Sequence, residues 1–221
     1  MGLVKDRLAG MGLVALLAGT LAPRAAAADR GALTFEVGPA LTLVRTAPSV
    51  GSAPSLAGTM GGGRLGVRYG LRNNLELTAS AHWDAPARFY HSDARVAAAG
   101  QSLQGTLAET AQRFGAMAGM SLVGGYVWRY HLGLEVGWAR QRFSKRDLVD
   151  VSDPAAPTSY GLGPADVERN AFVLAPRAGL EWQLTDHWSI SAIPRLEILL
   201  GGVGRMAFVV PVCVGYSWYR M

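Results

Sequence analysis

Residues Leu65–Trp83 read LGVRYGLRNNLELTASAHW, and this stretch decides the fold. On its first arm the large side chains occupy every second position, with glycine or arginine between them. The second arm repeats the pattern, since Leu, Ala and Trp alternate with Glu, Thr, Ser and His. A period of two is typical of a β-strand whose two faces meet different surroundings. Between the arms, Arg72-Asn73-Asn74 predicts a tight turn, because asparagine tolerates left-handed backbone angles.

The same alternation recurs along the chain and predicts an all-β fold of eight strands. Two further short turns are predicted at Tyr130-His131-Leu132 and Thr185-Asp186-His187. Three connections, 46–59, 85–110 and 144–169, are long and rich in Pro, Gly, Ser and Asp. Because long and short connections alternate, we predict one antiparallel up-and-down barrel with both termini at the short-turn end. The predicted strands are 33–45, 60–72, 75–84, 111–130, 132–143, 170–184, 187–199 and 205–219.

The first residues have the layout of a secretory signal peptide. Lys5 and Arg7 precede the apolar run LAGMGLVALLAGTL, and Ala26-Ala27-Ala28 supplies a cleavage site of small residues. We therefore predict a signal peptide over 1–28, cleaved after Ala28, and a barrel domain over 29–221. An uncleaved N-terminal membrane anchor is the alternative, although the apolar run is shorter than the roughly 20 residues that span a bilayer.

Composition excludes several classes of protein. Of the 221 residues, 50% are hydrophobic and only 17% are charged, which is the opposite of a disordered chain. Cys213 is the single cysteine, so neither an internal disulfide nor a multi-cysteine zinc site is possible. Removing residues 1–28 lowers the net charge from +5 to +3. The remaining basic residues are scattered, so we predict no nucleic-acid partner.

Alternation alone also fits a soluble, lipocalin-like barrel with its apolar face inside. Two features favour a membrane barrel with its apolar face outside. The polar face carries mostly Gly, Ala, Ser and Thr with isolated charges, and Lys145 is the single lysine after residue 28. Aromatic residues also gather at the strand ends, where amphipathic rings favour the membrane interface. The predicted aromatic girdles comprise Trp83, Trp128, Tyr130, Trp138, Trp182, Trp188, Tyr216 and Trp218; Phe143, Phe172 and Phe208 are predicted beside the second of these belts.

The isolated charges of the polar face then point into the barrel. Both signs occur on neighbouring strands, and buried charges must be paired. Since eight strands enclose a lumen only wide enough for side chains, we predict a structural salt-bridge network, with a solute pathway as the alternative. The network is predicted to comprise Glu36, Arg64, Arg68, Glu76, Glu135, Arg177, Glu181, Arg195 and Glu197.

In these segments the sequence resembles the OmpA/OmpW-like eight-stranded outer-membrane barrels of Gram-negative bacteria. The resemblance rests on the hairpins 66–77 and 179–188 and on the C-terminal strand Val210–Tyr219. It implies a bacterial outer-membrane location, with outer-membrane lipid and lipopolysaccharide as partners. The end Trp218-Tyr219-Arg220-Met221 departs from the final aromatic residue of that family, and no C-terminal peptidoglycan-binding domain is expected.

A catalytic site is not predicted. His91-Ser92-Asp93 supplies the residue types of a hydrolytic triad, but adjacent loop residues rarely converge on one point. We predict that His91 is a solvated loop residue, that His82 fills the lumen, and that His131 and His187 are exposed in turns. Cys213 is expected to face the lumen as a small packing residue. No cofactor and no metal site are predicted.

Three functions follow as hypotheses from these patterns. The first is a structural or surface-interaction role, in which the long connections 46–59, 85–110 and 144–169 meet an unidentified extracellular partner. The second is OmpW-like passage of small apolar solutes. The third is enzymatic modification of lipid A, which some small outer-membrane barrels perform.

Overall fold

The computed structural model describes residues 30–98, 101–150, 158–163, 166–201 and 206–219. The predicted signal peptide lies outside these residues. All regular secondary structure in the described part is β, and it contains no helix long and apolar enough to cross a membrane. The strands are β1 (Leu33–Thr46), β2 (Leu56–Arg72), β3 (Leu75–Ala98), β4 (Gln101–Gly125), β5 (Trp128–Asp150), β6 (Thr158–Gly161), β7 (Val167–Gln183), β8 (Trp188–Ala192), β9 (Arg195–Leu200), β10 (Met206–Pro211) and β11 (Cys213–Trp218).

Antiparallel pairing closes these strands into a ring. β1 pairs with β2 on one side and with β10 and β11 on the other, while β7 pairs with β5 and with both β8 and β9. β8 and β9 together form one wall strand, interrupted at Ile193–Pro194, and Val212 interrupts the wall strand made of β10 and β11. Pro194 has no N–H to donate to a sheet, which accounts for the first interruption. The predicted eight-stranded antiparallel barrel is therefore confirmed.

The short turns lie at one end of the barrel, here called the turn end. The turn at Asn73–Asn74 and the turn after Gln183 lie where the sequence predicts them. The turn predicted at Tyr130-His131-Leu132 is wrong, because β4 ends at Gly125 and β5 begins at Trp128. Gly125 has a φ of 96°, a backbone angle that glycine adopts without strain, and it pairs with Arg129 across the hairpin.

The opposite end, here called the loop end, is built differently from the prediction. The segment 85–110, predicted as a long loop, is mostly strand, since β3 runs to Ala98 and β4 starts at Gln101. The segment 144–169 also contains strand, because β5 continues to Asp150 and pairs there with β6. β3, β4 and β5 thus form an extension that projects beyond the rest of the wall.

The two faces of the wall have opposite chemistry. Large apolar side chains point outward and stay exposed, among them Phe35, Leu65, Leu134 and Leu180. Arginine, glutamate, histidine, serine and threonine side chains point inward and are buried. A soluble barrel has the reverse arrangement, so this wall suits a hydrocarbon surrounding.

Candidate functional site

All nine charged residues of the predicted network are buried inside the barrel. Each is at most 5% exposed, and they come from six of the wall strands. Burial of so many charges is compatible with folding only if each has opposite charges or hydrogen-bond partners nearby. The contacts arrange them in three layers between the turn end and the loop end.

In the layer nearest the turn end, Arg68 is surrounded by three carboxylates. Its Nε lies 3.2 Å from Glu36 Oε1, its Nη1 lies 3.1 Å from Glu76 Oε2, and its Nη2 lies 2.7 Å from Glu181 Oε2. His131 Nε2 lies 2.9 Å from the same oxygen of Glu181. One guanidinium therefore holds strands β1, β2, β3 and β7 together, and the imidazole adds β5.

In the middle layer the arrangement is inverted, because one carboxylate is surrounded by three arginines. Arg177 Nη1 donates to Glu135 Oε1 at 2.5 Å, and Arg195 Nη1 donates to Oε2 at 3.4 Å. Arg64 Nη2 lies 3.6 Å from Oε1. The Thr78 hydroxyl also donates to Oε1, at 3.0 Å. Glu135 is thus the only carboxylate paired with Arg177 among the described salt bridges.

The third layer centres on Glu197, which contacts Arg113 and lies 2.7 Å from Arg195 Nε. His82 Nδ1 lies 2.7 Å from Arg195 Nη2. Arg113 Nη1 also lies 3.7 Å from Asp84 Oδ2, and Thr42 donates to Asp84 Oδ1 at 2.7 Å. Arg195 therefore links the middle layer to the third one.

The prediction missed three members of these layers, namely Asp84, Arg113 and His131. Their positions in the alternation point inward, since Asp84 has the parity of Glu76 and His131 that of Glu135. The predicted turn at Tyr130-His131-Leu132 makes His131 exposed, but in the structure it is only 2% exposed. When the two-residue alternation is followed strictly and the turn is placed at Tyr126–Val127, all three residues fall on the inward face.

An apolar cap closes the barrel beyond the third layer. It consists of buried side chains that pack against one another across the interior, and it is continued by partly buried Leu56, Ala87, Val167 and Leu199. Phe143 is predicted near an aromatic girdle but is fully buried in this cap. The odd-numbered residues of β5 point inward from His131 up to Phe143, and the alternation shifts only after it. The members of the cap are Val44, Met60, Phe89, Ala111, Phe143 and Ala207.

A second polar group lies above the cap, inside the extension. His91 is 1% exposed, so its prediction as a solvated loop residue is wrong, and its Nε2 lies 3.0 Å from Glu109 Oε1. The Ser49 N–H donates to both carboxylate oxygens of Glu109 at 3.2 Å. Arg169 Nη2 donates to the Ser49 carbonyl at 2.5 Å, and burial lowers the pKa of Arg169 while Glu109 opposes that shift.

These contacts fix the segment 47–55 across the mouth of the barrel. Ser52 and Arg95 exchange two backbone hydrogen bonds, of 3.0 Å and 2.8 Å. Val50 and Ala53 pack on a small apolar cluster of the extension formed by Ala94, Val96, Leu107 and Leu148. The interior is therefore covered at the loop end as well as filled below.

The residue types of a hydrolytic triad are present but do not meet. His91 points inward, whereas Ser92 and Asp93 lie exposed on a bulge where Asp93 has a φ of 53°. Cys213 is buried and faces the interior, and His187 is exposed in its turn. In the described residues no group of three or more His, Cys, Asp or Glu side chains suits a metal ion.

The outer face of the extension is polar and carries three exposed ion pairs. Arg88 Nη2 lies 2.9 Å from Asp147 Oδ2, Arg140 contacts Glu168, and Arg142 contacts Asp166. The hydrogen bond with Asp166 raises the pKa of Arg142. Such exposed pairs contribute little to stability.

Exposed aromatic rings lie on the outward face at two levels. At the turn end Trp128 and Trp182 stack with their centroids 5.5 Å apart, and Trp188 packs edge-on against Tyr216 at 5.0 Å. Trp218 is exposed at the same level, while Tyr130 is only partly exposed. At the other level the exposed rings are those of Trp83, Phe114, Trp138, Phe172 and Phe208.

No family model matches the chain, and no curated protein matches its sequence. Solved structures do match its fold. One is the attachment invasion locus protein Ail of Yersinia pestis in complex with the heparin analogue sucrose octasulfate, with a TM-score of 0.54 at 16% identity over 86% of this chain and 100% of that chain.

Two further structures show the same fold. The outer-membrane protein OprG of Pseudomonas aeruginosa gives a TM-score of 0.54 at 12% identity, over 89% of this chain and all of that one. Neisserial surface protein A gives 0.53 at 12% identity, over 86% of this chain and all of that one. The chain therefore shares its fold with eight-stranded outer-membrane β-barrels.

Proposed function

We propose that this chain is an integral outer-membrane barrel that acts at the bacterial surface through its loop-end extension. In this proposal residues 1–28 are a signal peptide removed after Ala28, and residues 29–221 form the barrel domain. The turn end faces the periplasm and the loop end faces outward, so the long strands β3, β4 and β5 stand above the membrane.

The outward wall supports the membrane location. Apolar residues such as Val37, Leu65, Val136 and Leu180 stay exposed on four different strands, between two levels of exposed aromatic rings. In water this surface would be one continuous apolar patch, far larger than soluble monomers expose. In a bilayer the same surface is solvated by hydrocarbon, and the aromatic rings lie at its interfaces.

The interior supports a structural role for the charge network and argues against passage of solutes. In the described residues five arginines and six carboxylates fill the three layers, and the apolar cap covers them. A small apolar solute would have to cross three layers of paired charges, each of which is costly to separate. We therefore favour the surface-interaction role over OmpW-like passage through the lumen.

The outer face of the extension carries the interaction in this proposal. Among the side chains that the structure describes there, five exposed cations lie beside four acids, and two of the cations, Arg95 and Lys145, have no partner in the described salt bridges. The structure of Ail with a heparin analogue supports polyanionic glycans as the ligand class. The exposed cations are Arg88, Arg95, Arg140, Arg142 and Lys145; the acids are Asp93, Asp147, Asp166 and Glu168.

Membrane insertion is tested by gel mobility of the outer-membrane fraction with and without boiling. A folded barrel resists detergent, so we expect an unheated band that runs faster than the boiled one. A single band in the soluble fraction would contradict the membrane location. An unchanged lipid A mass profile in cells carrying His91→Ala is also expected, since this proposal includes no reaction.

Surface binding is tested with the barrel in phosphatidylcholine nanodiscs and immobilised heparin as the probe. We expect binding that weakens as the salt concentration rises. The double variant Arg95→Gln with Lys145→Gln should have a dissociation constant at least tenfold higher than that of the unaltered protein. The matched control combines Arg30→Gln with Arg72→Gln, which removes two exposed cations at the turn end. Equal loss in both double variants, or no binding by the unaltered protein, would contradict the proposal.

A further inference from the structure

A groove of about 450 Å³ crosses the outward face of the barrel near the loop end. Leu43 and Arg45 of β1 lie along it, with the small residues Ala57, Gly58 and Thr59 of β2 on one flank. The other flank is apolar and is formed by Leu196 of β9 and by Met206 and Phe208 of β10. The groove therefore contains one cation, Arg45, with apolar surface on both sides of β1.

Arg45 lies at the upper edge of the apolar wall. Leu43 pairs with Phe208, which belongs to the loop-end level of exposed aromatic rings, and Arg45 pairs with Met206 one step further out. Two residues of a strand advance by ~7 Å, so the guanidinium stands just beyond the hydrocarbon edge. Its stem covers apolar surface while its charged head reaches the headgroup region.

The guanidinium of Arg45 is oriented but not neutralised. Its Nε donates to Ser55 Oγ at 2.8 Å, which leaves the two terminal nitrogens to bind another group. No salt bridge of the described residues involves Arg45, whereas Arg88, Arg140 and Arg142 each contact a carboxylate. A bidentate guanidinium matches the oxygens of a phosphate.

We propose that Arg45 and this groove form a specific site for a phosphorylated, multiply acylated glycolipid of the lipid A type. The phosphate binds the terminal nitrogens of Arg45. Acyl chains lie on the two flanks, one over Ala57 and Thr59 and another over Leu196 and Phe208. Two apolar flanks beside one cation suit a headgroup that carries several acyl chains better than they suit a free phosphate ion.

This inference rests on the proposed membrane orientation, because the outer leaflet of an outer membrane is where such glycolipids occur. It adds a lipid site on the wall to the glycan-binding surface of the extension. The two sites share no residue, so each can fail while the other stands.

The test is native mass spectrometry of the folded full-length protein in detergent, titrated with bis-phosphorylated hexa-acyl lipid A. We expect one lipid A to bind the unaltered protein at least tenfold more tightly than it binds Arg45→Gln. Ser55→Ala should weaken binding less, since it removes only the group that orients Arg45. Arg140→Gln is the matched control, because Arg140 is also outward-facing but contacts Glu168.

Two other ligands define the chemistry. Lipid A that lacks its phosphates should bind the unaltered protein only as weakly as complete lipid A binds the Arg45→Gln variant. Phosphatidylglycerol should bind the unaltered protein at least tenfold more weakly than lipid A does. Equal weakening by Arg45→Gln and Arg140→Gln would overturn the site in favour of diffuse surface charge. Phosphatidylglycerol that binds as tightly as lipid A would overturn the ligand. Heat-modifiable mobility of each variant shows that it is folded, and heparin binding in lipid A-free nanodiscs reports separately on the extension.

Discussion

Arg177 and Glu135 meet inside the barrel through a 2.5 Å hydrogen bond from Nη1 to Oε1. Arg195 and Arg64 approach the same carboxylate, so three cations depend on one anion in this layer. The relation is asymmetric, because Arg195 has Glu197 as a second partner while Arg177 has none among the described salt bridges. Loss of Glu135 therefore leaves Arg177 without a partner among the described salt bridges.

We predict that Glu135→Gln destabilises the barrel by about 3–5 kcal/mol, the range for breaking a buried ion pair by removal of one partner. The amide retains the shape of the side chain but leaves Arg177 without a counter-charge. Urea unfolding in lipid vesicles, followed by tryptophan fluorescence, measures the change. Glu168→Gln removes an exposed partner of Arg140 and should change the free energy of unfolding by less than about 1 kcal/mol. Similar effects in the two variants would show that the network does not hold the barrel together.

The orientation of the C-terminal strand gives a second prediction. Val214 is exposed on the outward face between Val37 and Ile190, whereas neighbouring Cys213 is buried inside. Val214→Arg should cost about 2–4 kcal/mol and reduce assembly, because it places a charge on the lipid face. Cys213→Ser should cost less than about 1 kcal/mol, since the hydroxyl finds polar partners inside. The fraction of heat-modifiable protein after expression measures both, and the reverse ranking would exclude this orientation.

Regular alternation let the sequence predict most of the barrel. Between Leu75 and Trp83 every second residue points inward without a break, so both the strand and its orientation could be read. The same holds for Phe172–Trp182, where Arg177 and Glu181 share the inward face. These two segments hold Glu76, Arg177 and Glu181, three of the nine interior charges that the sequence predicts, and their unbroken alternation explains why these three could be named.

The extension could not be predicted, because bulges break its period. Register shifts lie between Asp84 and Ala87 and between His91 and Ala94, and each one moves the inward face to the other parity. A strand with two changes of parity and a proline at Pro86 has the sequence appearance of a loop. Contacts such as His91 with Glu109 join residues whose pairing depends on those bulges, so nothing local in the sequence indicates them.

A third prediction concerns the segment 47–55 across the mouth of the barrel, where Glu109 accepts the Ser49 N–H. Glu109→Leu keeps the volume of the side chain but leaves the buried Ser49 N–H without its acceptor, a loss of about 1–3 kcal/mol. We expect hydrogen exchange at Ser49 and its neighbours to be at least tenfold faster. Asp166→Leu, at an exposed pair, is the control and should leave the exchange at Ser49 unchanged. Unchanged exchange in Glu109→Leu would mean that the Ser52–Arg95 and Arg169–Ser49 hydrogen bonds and the packing of Val50 and Ala53 fix the segment without Glu109.

Close approach of β4 and β5 gives the last prediction. A Cβ on Gly137 would collide with the Ala116 carbonyl oxygen, a backbone atom that cannot move without shifting the strand. Gly137→Ala should therefore destabilise the barrel by about 1–3 kcal/mol through overpacking. At Gly61 a Cβ meets nothing within 4 Å, so Gly61→Ala should change stability by less than about 0.5 kcal/mol. Urea unfolding in vesicles compares the two substitutions, which differ only in position. If Gly61→Ala proved as costly as Gly137→Ala, loss of glycine itself, and not the strand contact, would be the cause.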